Sequence, residues 1–171
     1  MAETPIKSIR SRLYEDIARH LLDSKLVKQV DLYNDQFSHI DEESVIKYPC
    51  VLIEFSDISW RQLGQHTQQG DITINLHVAT RSKGRTTIAD RATPPATKYL
   101  ELLDDLHVAM RDLRLAYAST FTRTASSTDH DHDDLIVNVE SFRTIVVDNS
   151  AKLRKVNVKR DVQIGNVTAK K

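Results

Sequence analysis

The residues best suited to chemistry stand in one run, Asp129-His130-Asp131-His132-Asp133-Asp134. In an extended chain successive side chains point to opposite sides. His130 and His132 would then share one face, and Asp129, Asp131 and Asp133 the other. Two imidazoles side by side are ligands of the kind zinc and other transition metals take. The run follows a Ser/Thr-rich segment, Ser119 to Thr128, and residues 119–134 together read as the tip of an extended hairpin. Asp and His at such a tip are more simply solvated than ligating, so no metal is expected. The other histidines, His20, His39, His66, His77 and His107, are scattered along the chain and suggest no cluster.

Nucleophilic chemistry finds little to work with. The only cysteine, Cys50, sits inside an apolar run and has no activating neighbour in sequence. It reads as a small core hydrophobe, and a single thiol points to a reducing compartment. There is no Gly-x-Ser-x-Gly, and no Gly-x-x-x-x-Gly-Lys for phosphate. Glu101, Asp104 and Asp105 fall on a helix at angles that do not make a close acid pair. The expectation is a chain with no catalytic residues and no cofactor.

Elements that would position these residues are legible from hydrophobic spacing. Thr4 and Pro5 read as the cap and first residue of a helix. Ile6, Ile9, Leu13, Ile17 and Leu21 continue it at spacings of three and four, to about Ser24. Val27, Val30, Leu32 and Tyr33 suggest a short strand. A polar loop follows, from Asn34 to Lys47, in which Phe37 and Ile40 tuck inward. Tyr48 to Phe55 is a strand after a proline, and Ile72, Ile74, Leu76 and Val78 alternate strictly with polar residues in the next one. Trp60, Gly64 and Gly70 lie between these runs, with the glycines as punctuation.

Residues 81–95 form a basic loop bounded by prolines, and Thr93-Pro94 opens a second helix. Tyr99, Leu102, Leu103, Leu106, Met110 and Leu113 make its apolar stripe, which is expected to cover the Ile72–Val78 face. Leu135, Val137 and Val139 alternate in one phase, and Phe142, Thr144 and Val146 in the other. The change near Glu140-Ser141 suggests a bulge or bend. Asp148 to Ser150 reads as a turn. Val156, Val158, Val162 and Ile164 suggest a last strand, with Arg160 as a charge that blunts its edge. Residues 166–171 read as a frayed tail. The expected fold is α+β in one domain, 1–171: an antiparallel or mixed β-sheet with two helices packed on one face, plus a long hairpin or loop extension.

The bulk numbers agree with a globular chain. Of 171 residues, 40% are hydrophobic and 28% charged, and Lys plus Arg equals Asp plus Glu at 24 each. That balance gives no overall field for nucleic acid or an anionic membrane. No apolar run reaches membrane-spanning length, and no secretory leader is seen at the N-terminus. Residues expected to make contacts between copies are Arg81, Lys83, Arg85 and Arg91 of the basic loop, the oppositely charged Asp41, Glu42 and Glu43, and Arg160.

The order of features resembles the tail terminator or tail-completion proteins of long-tailed bacteriophages. The strand Tyr48-Pro49-Cys50-Val51-Leu52-Ile53 is similar to that family's Tyr-Pro-x-Val-x-Ile strand before a long hairpin. A helix from near Thr97 returns across the sheet in the same way. This chain is longer than is usual there, mostly through residues 119–134. The resemblance implies a structural virion protein, located in the tail or neck and assembled in the host cytoplasm. It implies a homo-oligomeric ring, commonly a hexamer, that caps the tail tube, meets the tube protein and joins the head-to-tail connector or neck protein. DNA would pass through such a ring without sequence-specific contact. Two alternatives remain: a neck or head-completion adaptor ring of the same particle, and an unrelated small α+β binding module.

Overall fold

The computed structural model describes residues 8–37, 46–81, 95–132 and 134–153. Helix α1 (Ile9–Asp23) begins where the extended Ser8 accepts a hydrogen bond at its hydroxyl from the Ser11 amide. That bond satisfies one of the donors a first turn leaves open. Ser8 thus takes the capping role that the sequence assigns to Thr4, which lies with Pro5 outside the described residues. Ile9, Leu13, Ile17 and Leu21 form the buried stripe of α1.

Strand β1 (Gln29–Leu32) follows, then β2 (Cys50–Gly64), β3 (Thr67–Arg81), helix α2 (Pro95–Asp112), β4 (Thr122–Asp129), β5 (Leu135–Asp148) and the short α3 (Ser150–Leu153). All five strands join one sheet in the order β1-β2-β3-β5-β4. Among the described strands only β1 and β2 run parallel, so the sheet is mixed. Helix α2 opens at Pro95, whose missing amide hydrogen costs nothing in a first turn. Thr93 and Pro94, the expected start, lie outside the described residues.

The fold is α+β with both helices against one face, as the two apolar stripes require. Ile72, Ile74, Leu76 and Val78 are fully buried there under Leu13, Ile17, Leu21, Leu106 and Met110. Each such side chain contributes about 1.5–3 kcal/mol by leaving water. His20 Nε2 donates to the Ala109 carbonyl at 2.8 Å, tying α1 to α2. A smaller core on the opposite face gathers Phe37, Cys50, Leu52, Ala79, Leu135 and Val137. Ile40, expected to tuck in beside Phe37, lies outside the described residues.

Three expectations are corrected. The hairpin strands do not stop short of Trp60 and Gly70; β2 runs on to Gly64, Gln65 and His66 form the turn, and β3 starts at Thr67. Gly70 therefore sits inside β3, opposite Trp60. A Cβ there would lie 2.7 Å from Trp60 Cζ3, so the glycine makes room for the indole rather than for a turn. Second, β5 has no bulge at Glu140-Ser141, since its register with β3 is continuous. Its burial changes phase because its first part faces the smaller core and its later part faces the helices. The irregularity at this level belongs to β4, between Arg123 and Ala125. Third, residues 119–134 are not mainly a tip: Thr122 to Asp129 form β4, an edge strand. The proposed last strand, Val156 to Ile164, and the tail lie outside the described residues.

Candidate interaction surface

The sheet has two edges, and they differ. β4 closes one side along Val137 to Arg143 of β5, and Ala118 bridges to Val146 beyond it. On the other side β1 pairs only with Cys50 to Ile53, and its last bond is from the Tyr33 amide to the Ile53 carbonyl at 2.9 Å. Beyond that point, among the described residues, nothing pairs with the outer edge of β2 from Phe55 to Gly64. Every second residue of that stretch turns its backbone amide and carbonyl outward. Register shifts at Phe55/Asp57 and Gln62/Gly64 bracket a regular stretch from Asp57 to Gln62. Apolar side chains sit along the same stretch, with Trp60 39% and Leu63 50% exposed.

Where β1 stops, a cleft of about 420 Å³ opens between α1 and the edge of β2. Arg10, Tyr14, Leu32, Tyr33, Glu54 and Phe55 are among the residues that line it. Its origin is simple: β2 continues past the end of β1, and α1 overhangs the place a longer β1 would fill. Tyr14 reaches the Asp31 carboxylate at 3.5 Å, and Leu32 is about half exposed.

Glu54 stands at the junction of the paired and open parts of β2. Its Oε2 accepts hydrogen bonds from Asn75 Nδ2 at 2.9 Å and His77 Nε2 at 3.0 Å. An ionised carboxylate only accepts, so Nε2 of His77 carries the proton. Ser141 Oγ donates to Asn75 Oδ1 at 2.8 Å, which extends the network over three strands. Tyr33 stacks flat on the His77 ring, with centroids 3.8 Å apart. Burial pushes the Glu54 pKa up, but the bonds from Asn75 and His77 outweigh it and the carboxyl is held below its ordinary range. Among the described residues no serine, threonine or cysteine is hydrogen-bonded to His77. The pair therefore has the base of a nucleophilic site without its nucleophile. Sequence reasoning placed His77 among scattered histidines. The signal it missed is that Glu54 and His77 both fall on the non-helical face of neighbouring strands.

The Asp/His run is not extended as a unit. β4 ends at Asp129, whose carboxylate accepts from the Asp131 amide at 3.0 Å and begins a turn. His132 packs edge-on against Phe37, with ring centroids 5.6 Å apart, and its Nε2 lies 3.3 Å from Asp129 Oδ2. His130 instead faces solvent. The two imidazoles are thus separated, and Asp133 lies outside the described residues. Among the described residues no group of three or more His, Cys, Asp and Glu could hold a metal ion.

Of the expected contact residues, Arg81 is described and ends β3. Its guanidinium lies over the Tyr48 ring, 5.4 Å from the centroid. Lys83, Arg85, Arg91, Asp41, Glu42, Glu43 and Arg160 lie outside the described residues. The stems of the acidic and basic loops leave from the same end of the sheet: Phe37, Ile46 and Tyr48 pack on one cluster, and Arg81 lies over Tyr48.

Charges elsewhere hold the sheet together. Glu140 is 2% exposed and accepts from Ser126 Oγ at 2.6 Å, with Arg123 Nη1 at 3.4 Å. This pins β4 to β5. Arg123 also reaches the exposed Asp104 of α2 at 3.5 Å, a contact worth little in water. Arg143 binds both carboxylate oxygens of Asp71 on the uncovered face. Comparison of the sequence with protein-family models gives no match, and no curated protein matches it.

Proposed function

We propose that this chain is a structural subunit of a long-tailed bacteriophage particle, a tail terminator whose copies, six by the family resemblance, close into a ring. The ring caps the tail tube and joins it to the head connector, and the chain has no catalytic role in it. The observation that supports this most is the outer edge of β2 from Phe55 to Gly64, which no strand pairs among the described residues. An edge of this length is a liability for a solitary protein, and a second chain is one way to satisfy it. Supporting it too is the order of elements: helix, short strand, Tyr48-Pro49 strand, long hairpin, and a helix returning over the sheet. A contact between two different patches of one chain, repeated from copy to copy, is the kind that closes into a ring.

The deciding experiment is to assemble particles without this chain and image them. Tails of abnormal length, unattached to heads, are expected. Tails of normal length lying free of heads would move the protein to the neck. Intact particles of normal length would overturn both roles.

A further inference from the structure

We infer that the cleft where β1 stops binds an organic cation, a guanidinium or ammonium head on an apolar stem, with Glu54 as its counter-ion. This site is independent of the ring reading above.

Its shape is that of a small-ligand site. The cleft holds about 420 Å³, and such sites hold roughly 300–1,000 Å³ with an apolar lining and a few polar groups. Leu32, Ile53 and Phe55 offer a bed for a stem, and Tyr14, Tyr33 and Phe55 bring three aromatic rings.

Its charge selects the sign of the ligand. Glu54 lines the cleft, and two lining tyrosines are tied to further acids. The Tyr14 hydroxyl donates to Asp31 Oδ1 at 3.5 Å, and that of Tyr33 to Asp35 Oδ1 at 3.4 Å. Three carboxylates therefore stand in or beside the cleft, against the one guanidinium of Arg10. Surroundings of this kind repel an anion and attract a cation. The rings act the same way, because an aromatic face attracts positive charge. The chain's own arginines use that attraction elsewhere: Arg12 lies 4.0 Å from the centroid of the Tyr117 ring and Arg81 lies over Tyr48. Among the described residues no arginine or lysine lies over Tyr14, Tyr33 or Phe55 in this way.

The way Glu54 is held is a separate observation. Asn75 Nδ2 and His77 Nε2 both bond to Oε2, and among the described residues no hydrogen bond reaches Oε1. Ser141 fixes Asn75, and Tyr33 stacks on His77, leaving only the other face of its ring to a ligand. Groups behind the carboxylate thus fix its position and keep it ionised, with one oxygen left for a donor in the cleft. Preorganised support of this kind is what a binding carboxylate needs and a merely solvated one does not.

Arg10 is exposed on the first turn of α1. Its like charge opposes the ligand, weakly because water and salt screen it. Arg10 and Glu54 therefore act on affinity in opposite directions, which gives the test its sign.

The test titrates the isotope-labelled full-length chain with n-propylguanidinium and, separately, with N-acetyl-L-arginine methylamide, in low salt. Amide NMR shifts report binding. Dissociation constants of about millimolar are expected for probes of this size, with the largest shifts at Leu32, Tyr33, Glu54 and Phe55. Glu54→Gln keeps the shape and should weaken binding about fivefold. Arg10→Gln should strengthen it about twofold. Phe55→Leu keeps an apolar wall without a ring and should weaken it about threefold. Tighter binding of the methylamide would assign the cleft to a basic side chain of a protein partner, and tighter binding of the bare head to a free cation; either supports the site. Shifts confined to other regions, or an affinity that Glu54→Gln leaves unchanged, would overturn it. So would binding of acetate that is lost in Arg10→Gln, which would mark an anion site.

Discussion

β2 is one strand in two environments. From Cys50 to Ile53 it has β1 on one side and β3 on the other, and every side chain is buried. From Phe55 to Gly64 its one strand partner among the described residues is β3, and its side chains run from half-buried to exposed. Composition does not separate the halves, since the second also holds Phe55, Ile58, Trp60 and Leu63. What separates them is whether a second strand and a helix arrive to cover the edge. The buried half belongs to the core, whereas the outer edge of the open half has no strand partner among the described residues.

The widest expected gap between the halves is chemical. Burial pushes the Cys50 thiol from 9.0 up to about 12, partly offset by a hydrogen bond with the Ala79 backbone. Its thiolate fraction at pH 8 then falls by ~10³, and alkylation falls with it. Ser59→Cys in the open half should react at the rate of a free thiol. Rates of iodoacetamide labelling in native protein check this. Equal rates at the two positions would mean that the first half opens as freely as the second.

Packing should show the next largest difference. Ile53→Ala removes a fully buried side chain between α1 and the sheet, and should cost about 2–5 kcal/mol. Ile58→Ala, in the open half, should cost about 1 kcal/mol or less in the isolated chain. Urea unfolding of both variants measures the two losses. If they match, the second half of β2 is covered in solution and is no open edge.

The smallest effect lies at the junction, on Glu54. Its folded pKa is lowered, so the stability it adds is present above the unfolded carboxylate value and disappears as pH falls through the folded one. Solvent reaches 36% of the side chain, so screening keeps the contribution below about 1 kcal/mol. Stability of the native chain minus that of Glu54→Gln should be flat near neutral pH and shrink in acid, below about pH 4. A difference that grows on acidification would mean that Glu54 is not held ionised by Asn75 and His77.

Local periodicity carried much of this molecule. The stripes Ile9-Leu13-Ile17-Leu21 and Tyr99-Leu103-Leu106-Met110, with the alternation Ile72 to Val78, state which side of each element is buried. Two apolar helices and one apolar strand face admit one economical arrangement, and the structure adopts it. A change of pattern in this chain is not a change of backbone. The phase change in β5 is a strand passing between two cores, and Gly70 is room for a neighbouring ring.

Partners across the sheet were decided only by tertiary structure. Glu54 and His77 are far apart in sequence, and nothing local says that the hairpin register brings them to 3.0 Å. Ser119 to Thr128 is too polar to announce a strand, yet β5 and the buried Glu140 hold Thr122 to Asp129 as one. The open edge of β2 is likewise invisible in its own residues, because it depends on β1 ending at Leu32. Alternation records which side of a strand leaves water, since burial acts on each side chain where it stands. Pairing depends on which backbone lies 4.8 Å away, and that is set by the ends of other elements.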